Sequence, residues 1–140
     1  MRTMMSACGV LCSKCPAFHG SEKGAAHRKK TAAAWRRIFG MKVMTKDISC
    51  GGCCASDDQL FHSSLNCKAR RCCHSKGFAT CAECLVKDCP DLEKAQSGWD
   101  EVAELEQKLS RKDFFIYAQP YCRHRQRLVE ARRALRQRAH

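Results

Sequence analysis

The chain has 140 residues, and its 26 lysines and arginines against 14 aspartates and glutamates give a formal net charge of +12. This length fits one domain over residues 1–140. Aromatic residues make up only 7% of the chain, which excludes a core built from many large side chains. Thirteen cysteines are an odd number, which excludes a framework that pairs every cysteine within the chain.

The N-terminal residues give no indication of export. The apolar residues after Arg2 form too short a run for the hydrophobic region of a signal peptide. No segment approaches the roughly 20 apolar residues that a membrane-spanning helix needs. We therefore expect a cytoplasmic protein without a membrane partner, in which thiols stay reduced and clustered cysteines indicate metal ligands or redox groups.

The first predicted elements follow a cysteine-dense start. Residues 8–16 are too short for a regular element. Residues 21–39 predict a helix that Ser21 begins and Gly40 ends, because apolar residues recur there at helical spacing. These inward-facing residues are Ala32, Trp35, Ile38 and Phe39. Residues 41–48 alternate apolar and polar side chains, which predicts a short strand.

The rest of the chain predicts metal-bound loops followed by helices. Residues 49–90 hold nine cysteines and little periodic pattern, which favours irregular segments and a small β-ribbon around metal. Helices are expected over 91–110 and 122–138. Gly98 weakens the first of them, where Ser97 and Asp100 offer a new start. The predicted fold class is therefore mainly α, with small irregular or β-ribbon metal-bound segments in one cysteine-rich domain.

Further helix signals lie in the C-terminal third. The apolar stripe of the first expected helix consists of Leu92, Ala95, Trp99, Val102, Leu105 and Leu109. Ser110 with Asp113 marks another helix start before the apolar run 114–117. Residues 111–140 carry nine basic and two acidic side chains, so we expect a basic helical tail there.

The clearest cysteine pattern is Cys50-Gly51-Gly52-Cys53, followed by Cys67 and Cys72. A C-x2-C turn directs two sulfurs at one point about 2.3 Å from each, and the glycines permit the tight backbone that it requires. Cys67 and Cys72 supply a second pair across a loop. The spacing predicts one four-thiolate zinc site.

Two further cysteine groups lie far apart in the sequence. Cys81, Cys84 and Cys89 form one group of three thiols, and Cys8, Cys12 and Cys15 form another. One zinc ion would take four of these six thiols, whereas two metal ions would share all six. The C-x3-C-x2-C spacing of the N-terminal group also occurs in radical S-adenosylmethionine enzymes, but this chain is too short for their repeated strand–helix barrel. An iron–sulfur cluster remains the alternative to zinc.

Five other side chains that could bind metal are not assigned as ligands. Cys54 and Cys73 each directly follow an expected ligand, and adjacent residues rarely reach one metal. Cys122 stands apart from the three groups. His62 and His74 could replace a thiol, but exposed histidines are the simpler interpretation.

Several blocks resemble, in order, a widespread prokaryotic family of small cysteine-rich proteins of unknown function with a CGLxCxxCPAY-like start. These blocks are CGVLCSKCPAF (8–18), Ala34-Trp35, DISCGGC (47–53), CKARRC (67–72), CAEC (81–84) and CPDL (89–92). The resemblance covers residues 8–95 and implies zinc binding. It maps the family's recurrent cysteines onto Cys8, Cys12, Cys15, Cys50, Cys53, Cys67, Cys72, Cys81, Cys84 and Cys89. Phe18 stands where tyrosine is common, and the resemblance says nothing about the tail.

Two classes of function follow from these patterns. The first is a structural metal-binding module, with zinc as the ion, that contacts nucleic acid or an acidic protein through its basic C-terminal helix. The second is a metalloenzyme or redox protein that uses the Cys8, Cys12, Cys15 and Cys81, Cys84, Cys89 groups. In that case Glu83 is the nearest candidate base, and Lys14 would lower the pKa of a thiol in Cys12-Ser13-Lys14-Cys15.

Overall fold

The computed structural model describes residues 4–138. Arg2 and the last two residues of the tail 111–140 lie outside this range. Within it are five α-helices: α1 (Ala25–Phe39), α2 (Lys68–Lys76), α3 (Pro90–Ser97), α4 (Arg111–Tyr117) and α5 (His124–Arg138). Eight short 3-10 helices, of which Asp100–Gln107 is the longest, lie between them or precede α1. The prediction of a mainly helical, cysteine-rich fold is confirmed.

The predictions of a β-ribbon and of a strand over 41–48 are wrong. Between residues 4 and 138 the only β pairing consists of two isolated bridges, Met5 with Leu11 and Phe18 with Cys50. The expected strand instead contains a 3-10 helix, Thr45–Asp47. The Asp47 carboxylate accepts a hydrogen bond from the Met44 N–H at 2.9 Å, which closes a turn. The apolar alternation reflects burial of Val43 and Ile48 against α1 rather than an extended backbone.

Helix α1 confirms the expected apolar face. Ala32 and Trp35 are buried, and Ile38 and Phe39 pack beside them in the first core cluster. Gly40 ends the helix in the left-handed region at φ 65°, where its N–H donates to Arg36 O. The helix begins at Ala25 rather than at residue 21, because Ser21 lies in a separate 3-10 turn.

The single helix expected over 91–110 is divided at Gly98. Helix α3 ends at Ser97, and residues Asp100–Gln107 continue as a 3-10 helix. Glycine has the lowest helix propensity after proline, and the tighter turn keeps the apolar stripe facing inward. The Ser97 hydroxyl donates to Lys94 O and does not cap the second segment. The Ser110 hydroxyl accepts from the Asp113 N–H, which confirms the start of α4.

Helix α2 was not predicted from the sequence. Its nine residues include two cysteines and four basic side chains of Lys or Arg, so no apolar stripe was visible. A stop signal was present, since Gly77 adopts φ 72° directly after the helix. Helix α2 forms the second core cluster through Ala69 and Cys73, which pack with Ala7, Ala82 and Leu128.

Helix α5 packs against the cysteine-rich part of the chain. Leu128 is only 3% exposed in the second core cluster. His124, at the start of α5, is buried, and its Nε2 donates to Gln96 O at 2.8 Å. Gly9 allows this approach, because a Cβ at that position would lie 2.1 Å from His124 O. No helix within residues 4–138 is both long enough and apolar enough to cross a bilayer.

Candidate metal centre

All thirteen cysteines, which lie between residues 8 and 122, are free thiols. The structure brings most of them into two neighbouring groups. We call the first the loop thiols; its members are Cys8, Cys12, Cys15, Cys50 and Cys53. We call the second the cavity thiols; its members are Cys72, Cys73, Cys81, Cys84 and Cys89.

Backbone hydrogen bonds hold the two segments that carry the loop thiols. The Cys50 N–H donates to Ala17 O, and the His19 N–H donates to Cys50 O, both at 2.8 Å. Gly52 adopts φ +89°, and a Cβ there would lie 2.6 Å from Met4 Sδ. The absence of a side chain lets this segment approach Cys12, whose Cβ would lie 3.8 Å from a Cβ at Gly52. The C-x2-C pairs of residues 12–15 and 50–53 therefore meet.

Backbone N–H groups near the loop thiols influence their pKa values. The Ala7 N–H helps to lower the pKa of Cys53. The N–H groups of Val10 and Ala17 act in the same direction on Cys8 and Cys15, but burial raises the pKa of both overall. A lowered pKa favours the thiolate, which is the form of cysteine that binds metal.

The loop thiols differ in their readiness to ionise. The Cys12 thiol is the main cause that lowers the pKa of Cys53, and Cys53 is the main cause that raises the pKa of Cys12. Burial raises the pKa of Cys15, although its thiol shares a hydrogen bond of 3.0 Å with the Tyr121 hydroxyl. Lys14 is exposed and is not among the main causes that shift the pKa of Cys12 or Cys15.

The cavity thiols line one small cavity of about 80 Å³. Its wall also contains Ala69, Lys76, Phe78, Val86, Leu92 and Arg132. The sulfurs of Cys73 and Cys81 lie 3.6 Å apart, and Lys76 Nζ lies 3.6 Å from the sulfur of Cys84. Two cations therefore border a cavity lined by five thiols, a setting that favours negative charge on sulfur.

The pKa values of the cavity thiols depend on depth. The pKa of Cys84 is lowered, first by the backbone N–H of Val86 and then by nearby Lys76. Burial raises the pKa of Cys73 and of Cys81, which lie deeper in the second core cluster. The outer part of the cavity thus favours a thiolate, whereas the inner part favours a neutral thiol.

The buried Arg70 anchors the loop that follows Cys53. Its side chain is 2% exposed and donates to Cys53 O at 3.0 Å, to Ala55 O at 2.6 Å and to Asp57 Oδ1 at 2.8 Å. His74 Nε2 donates to the same Cys53 carbonyl at 2.7 Å. Sequence reasoning missed this role, because a basic residue in a polar helix gives no sign of burial.

Two arginines of α5 contact other cysteine-bearing loops. Arg127 Nη1 donates to Gly9 O, next to Cys8, and Arg132 Nη2 donates to Cys81 O at 3.1 Å. Gln96 Nε2 donates to Cys8 O at 3.1 Å. Helix α5 of the basic tail therefore contacts and stabilises the loops that carry the thiols. Its contacts could not be read from the sequence, where these arginines resemble those of a solvated helix.

The structure groups the expected ligands in a new way. Cys12 lies beside the segment that carries Gly52 and Cys53, while Cys72 lies with Cys81, Cys84 and Cys89 around the cavity. Cys67 is half-buried beside the second core cluster, and its charge helps to raise the pKa of Cys8, which burial mainly sets. Within residues 4–138, no three histidine, cysteine, aspartate or glutamate side chains already stand in an arrangement that could hold a metal ion.

The remaining candidates have other contacts. Glu83 is exposed, and its carboxylate accepts a hydrogen bond from the Ala79 N–H at 2.7 Å. His62 is exposed. The thiol of Cys54 is exposed and that of Cys122 donates to Ala118 O, so neither joins the two groups.

The comparisons with known proteins give one match. A protein-family model described as "Protein of unknown function (DUF3795)" matches residues 4–94. No curated protein and no solved structure matches the chain.

Proposed function

This chain belongs to the DUF3795 family, and since that family's function is unknown, we propose a function from the thiols themselves. The protein binds metal ions through cysteine thiolates, with zinc as the ion. Its metal has a structural role. This proposal extends the resemblance of residues 8–95 to the chemistry of specific side chains, and it places the protein in a reducing compartment such as the cytoplasm.

The observation that carries the proposal is the cavity lined by five cysteines. Four of them recur in the family pattern and offer an all-sulfur donor set: Cys72, Cys81, Cys84 and Cys89. Four thiolates around a divalent ion leave a net charge of −2, which the neighbouring Lys76 and Arg132 would offset. The sulfurs need to converge by side-chain rotation, because they do not yet surround one point.

The loop thiols would hold a second ion. Cys12, Cys15, Cys50 and Cys53 form two C-x2-C pairs on segments that the backbone hydrogen bonds of Cys50 hold together, and the pKa of Cys53 is lowered. This grouping replaces the expected set of Cys50, Cys53, Cys67 and Cys72 as our proposal. Cys8 and Cys67 remain as additional thiols beside it. Structural zinc sites take four ligands, which both groups can supply.

A structural role fits the surroundings better than catalysis. A catalytic zinc site keeps one position for water and needs a nearby base. The side chains around the cavity are thiols, apolar groups and two cations, while Glu83 is bound to the backbone of its own loop. The chain also has few large core residues, so coordination would supply folding free energy.

We do not extend the proposal to nucleic acid. Arg125 donates to Glu93 and Asp100, and Arg127 and Arg132 donate to backbone carbonyls of the cysteine-bearing loops. The basic side chains of α5 are therefore partly engaged within the chain. Their positive charge serves contacts that hold the metal-binding loops.

Metal analysis of the full chain tests this proposal. The protein is purified without added metal, its metal content is measured by mass spectrometry, and Co²⁺ is substituted for the ion found. We expect zinc at one ion for each thiol group, and intense sulfur-to-cobalt absorption. Cys122→Ser is the matched control and should keep both ions. Iron with broad visible absorption would support the iron–sulfur alternative instead. A metal-free protein whose melting temperature does not respond to zinc or chelator would overturn metal binding.

A further inference from the structure

The sulfurs of Cys73 and Cys81 form a close pair among the cavity thiols. They lie 3.6 Å apart, and both side chains are buried, at 4% and 8% exposure. A disulfide needs an S–S distance of about 2.05 Å, so the two sulfurs would move together by roughly 1.5 Å. Both residues line the same cavity, whose wall includes the exposed Lys76 and Val86.

The local fold holds this pair in place. Helix α2 ends at Gly77, and the Phe78 N–H donates back to Cys73 O at 2.8 Å. The chain then returns, and the Cys81 N–H donates to Ala7 O at 3.0 Å. These hydrogen bonds belong to two packed elements, so the approach of the sulfurs is a property of the fold rather than of one mobile loop.

Cys73 is a fifth thiol beside a site that needs four. It directly follows Cys72, and it lies outside the set of cysteines that the family resemblance maps onto this chain. Cys81, in contrast, belongs to the proposed ligand set. We propose that Cys73 and Cys81 form a reversible disulfide under peroxide, which removes Cys81 from the cavity site and releases its metal. This inference rests on the proposed function.

The chemistry balances with hydrogen peroxide as the oxidant. The Cys81 sulfur, which as a metal ligand is a thiolate, attacks a peroxide oxygen, the O–O bond breaks, and a sulfenic acid and a hydroxide ion form. The Cys73 sulfur then attacks the sulfenic sulfur, the S–S bond forms and a second hydroxide leaves. One hydroxide takes the proton of the Cys73 thiol and the other takes a proton from solvent, so two waters form. The two cysteines lose two electrons, which peroxide takes up, and a dithiol reductant reverses the change.

Peroxide titration of the zinc-loaded full chain tests the proposal. Released zinc is followed with a chromogenic chelator, and disulfides are mapped by differential alkylation and mass spectrometry. We expect a Cys73–Cys81 disulfide, loss of the cavity ion only, and recovery of binding after reduction and addition of zinc. In Cys73→Ala, release should be on the order of tenfold slower. Cys54→Ala, which also removes a thiol next to a proposed ligand, should behave like the unsubstituted chain.

Two results would overturn the inference. One is a disulfide map without Cys73, and the other is equal zinc release from Cys73→Ala and the unsubstituted chain. The map needs no variant, so the test stands even if Cys73→Ala fails to fold. The same map on metal-free protein separates the two proposals. A Cys73–Cys81 disulfide in a protein that never binds metal would overturn the metal function and the release of metal, while the pairing of the two sulfurs would stand.

Discussion

The loop thiols and the cavity thiols are adjacent but are held in different ways. Around the loop thiols, the backbone supplies the hydrogen bonds, and Gly52 permits the close approach of the two segments. Around the cavity thiols, α2, α3 and α5 supply part of the wall, including Lys76 from the end of α2 and Arg132 from α5. The first group is organised by main-chain geometry, whereas the second depends on how helices pack.

This difference has consequences for metal binding. A site whose donors are fixed by backbone hydrogen bonds needs little rearrangement, so its ion should be retained and should couple to folding of the whole chain. A site between helices can lose one ligand while the helices keep their packing. We therefore expect the loop group to act as the structural centre and the cavity group to exchange its metal more readily.

The largest expected effect tests directly whether the loop thiols and the cavity thiols differ in this way. In Cys53→Ser, the loop ion should be lost, together with several kcal/mol of the ~10–16 kcal/mol that a structural zinc site supplies. In Cys84→Ser, the cavity ion should be lost while most of the helical circular dichroism remains. Metal content and thermal unfolding measure both. Equal losses of stability in the two variants would show that the groups do not differ in this way.

The next effect concerns Arg70, which anchors the loop after Cys53 beside the loop thiols. Arg70→Met keeps an apolar stem but leaves Ala55 O without its donor and Cys53 O with only His74. A partly buried carbonyl left without a partner costs about 1–3 kcal/mol, so we expect a loss of about 2 kcal/mol in the free energy of unfolding. Urea denaturation measures it. Arg71→Met, at the exposed neighbouring position, should change stability by less than about 0.5 kcal/mol.

For the cavity group, the corresponding contact is that of Arg132 with Cys81 O. Arg132→Leu removes one hydrogen bond and a cation beside the thiols. We expect a loss of about 1 kcal/mol in stability and weaker zinc binding at the cavity alone. Competition with a chelator of known affinity measures the two ions separately. Arg133→Leu serves as the control, and weaker binding at the loop thiols would contradict the separation of the two groups.

The sequence identified the thiols better than it identified their partners. C-x2-C spacing is local, so Cys12, Cys15, Cys50 and Cys53 stand out without any knowledge of the fold. Their meeting depends on tertiary contacts such as the bridge between Phe18 and Cys50, which no spacing encodes. The apolar stripe of α1 was predictable because its residues recur at a regular helical period, and the structure confirms that the stripe is buried.

The arginines show the opposite case. Arg70, Arg127 and Arg132 all donate to backbone carbonyls of cysteine-bearing loops, yet nothing in the sequence separates them from solvated arginines. Their role depends on which carbonyls lack a partner after folding. The excess of positive charge therefore predicted a surface that binds partners. In the structure, some of these arginines instead donate to backbone carbonyls of the same chain.

The smallest expected effect concerns acid and the docking of α5. Arg125 joins α5 to Glu93 and Asp100, and its hydrogen bonds are the main cause that lowers the pKa of both carboxyls from their ordinary values of 4.5 and 3.8. The stabilisation by these contacts is therefore complete above those ordinary values and is lost as pH falls through the lower folded-state values.

In metal-free protein, the melting temperature should fall between about pH 5 and pH 3, and the fall should be smaller in the double variant Glu93→Gln, Asp100→Asn. Glu104→Gln, at an exposed position in the same 3-10 helix as Asp100, should leave the profile unchanged. Parallel profiles for the double variant and the unsubstituted chain would mean that Arg125 does not link α5 to Glu93 and Asp100 in a way that stabilises the fold, and that Arg127, Arg132 and the apolar packing of Leu128 suffice to hold α5.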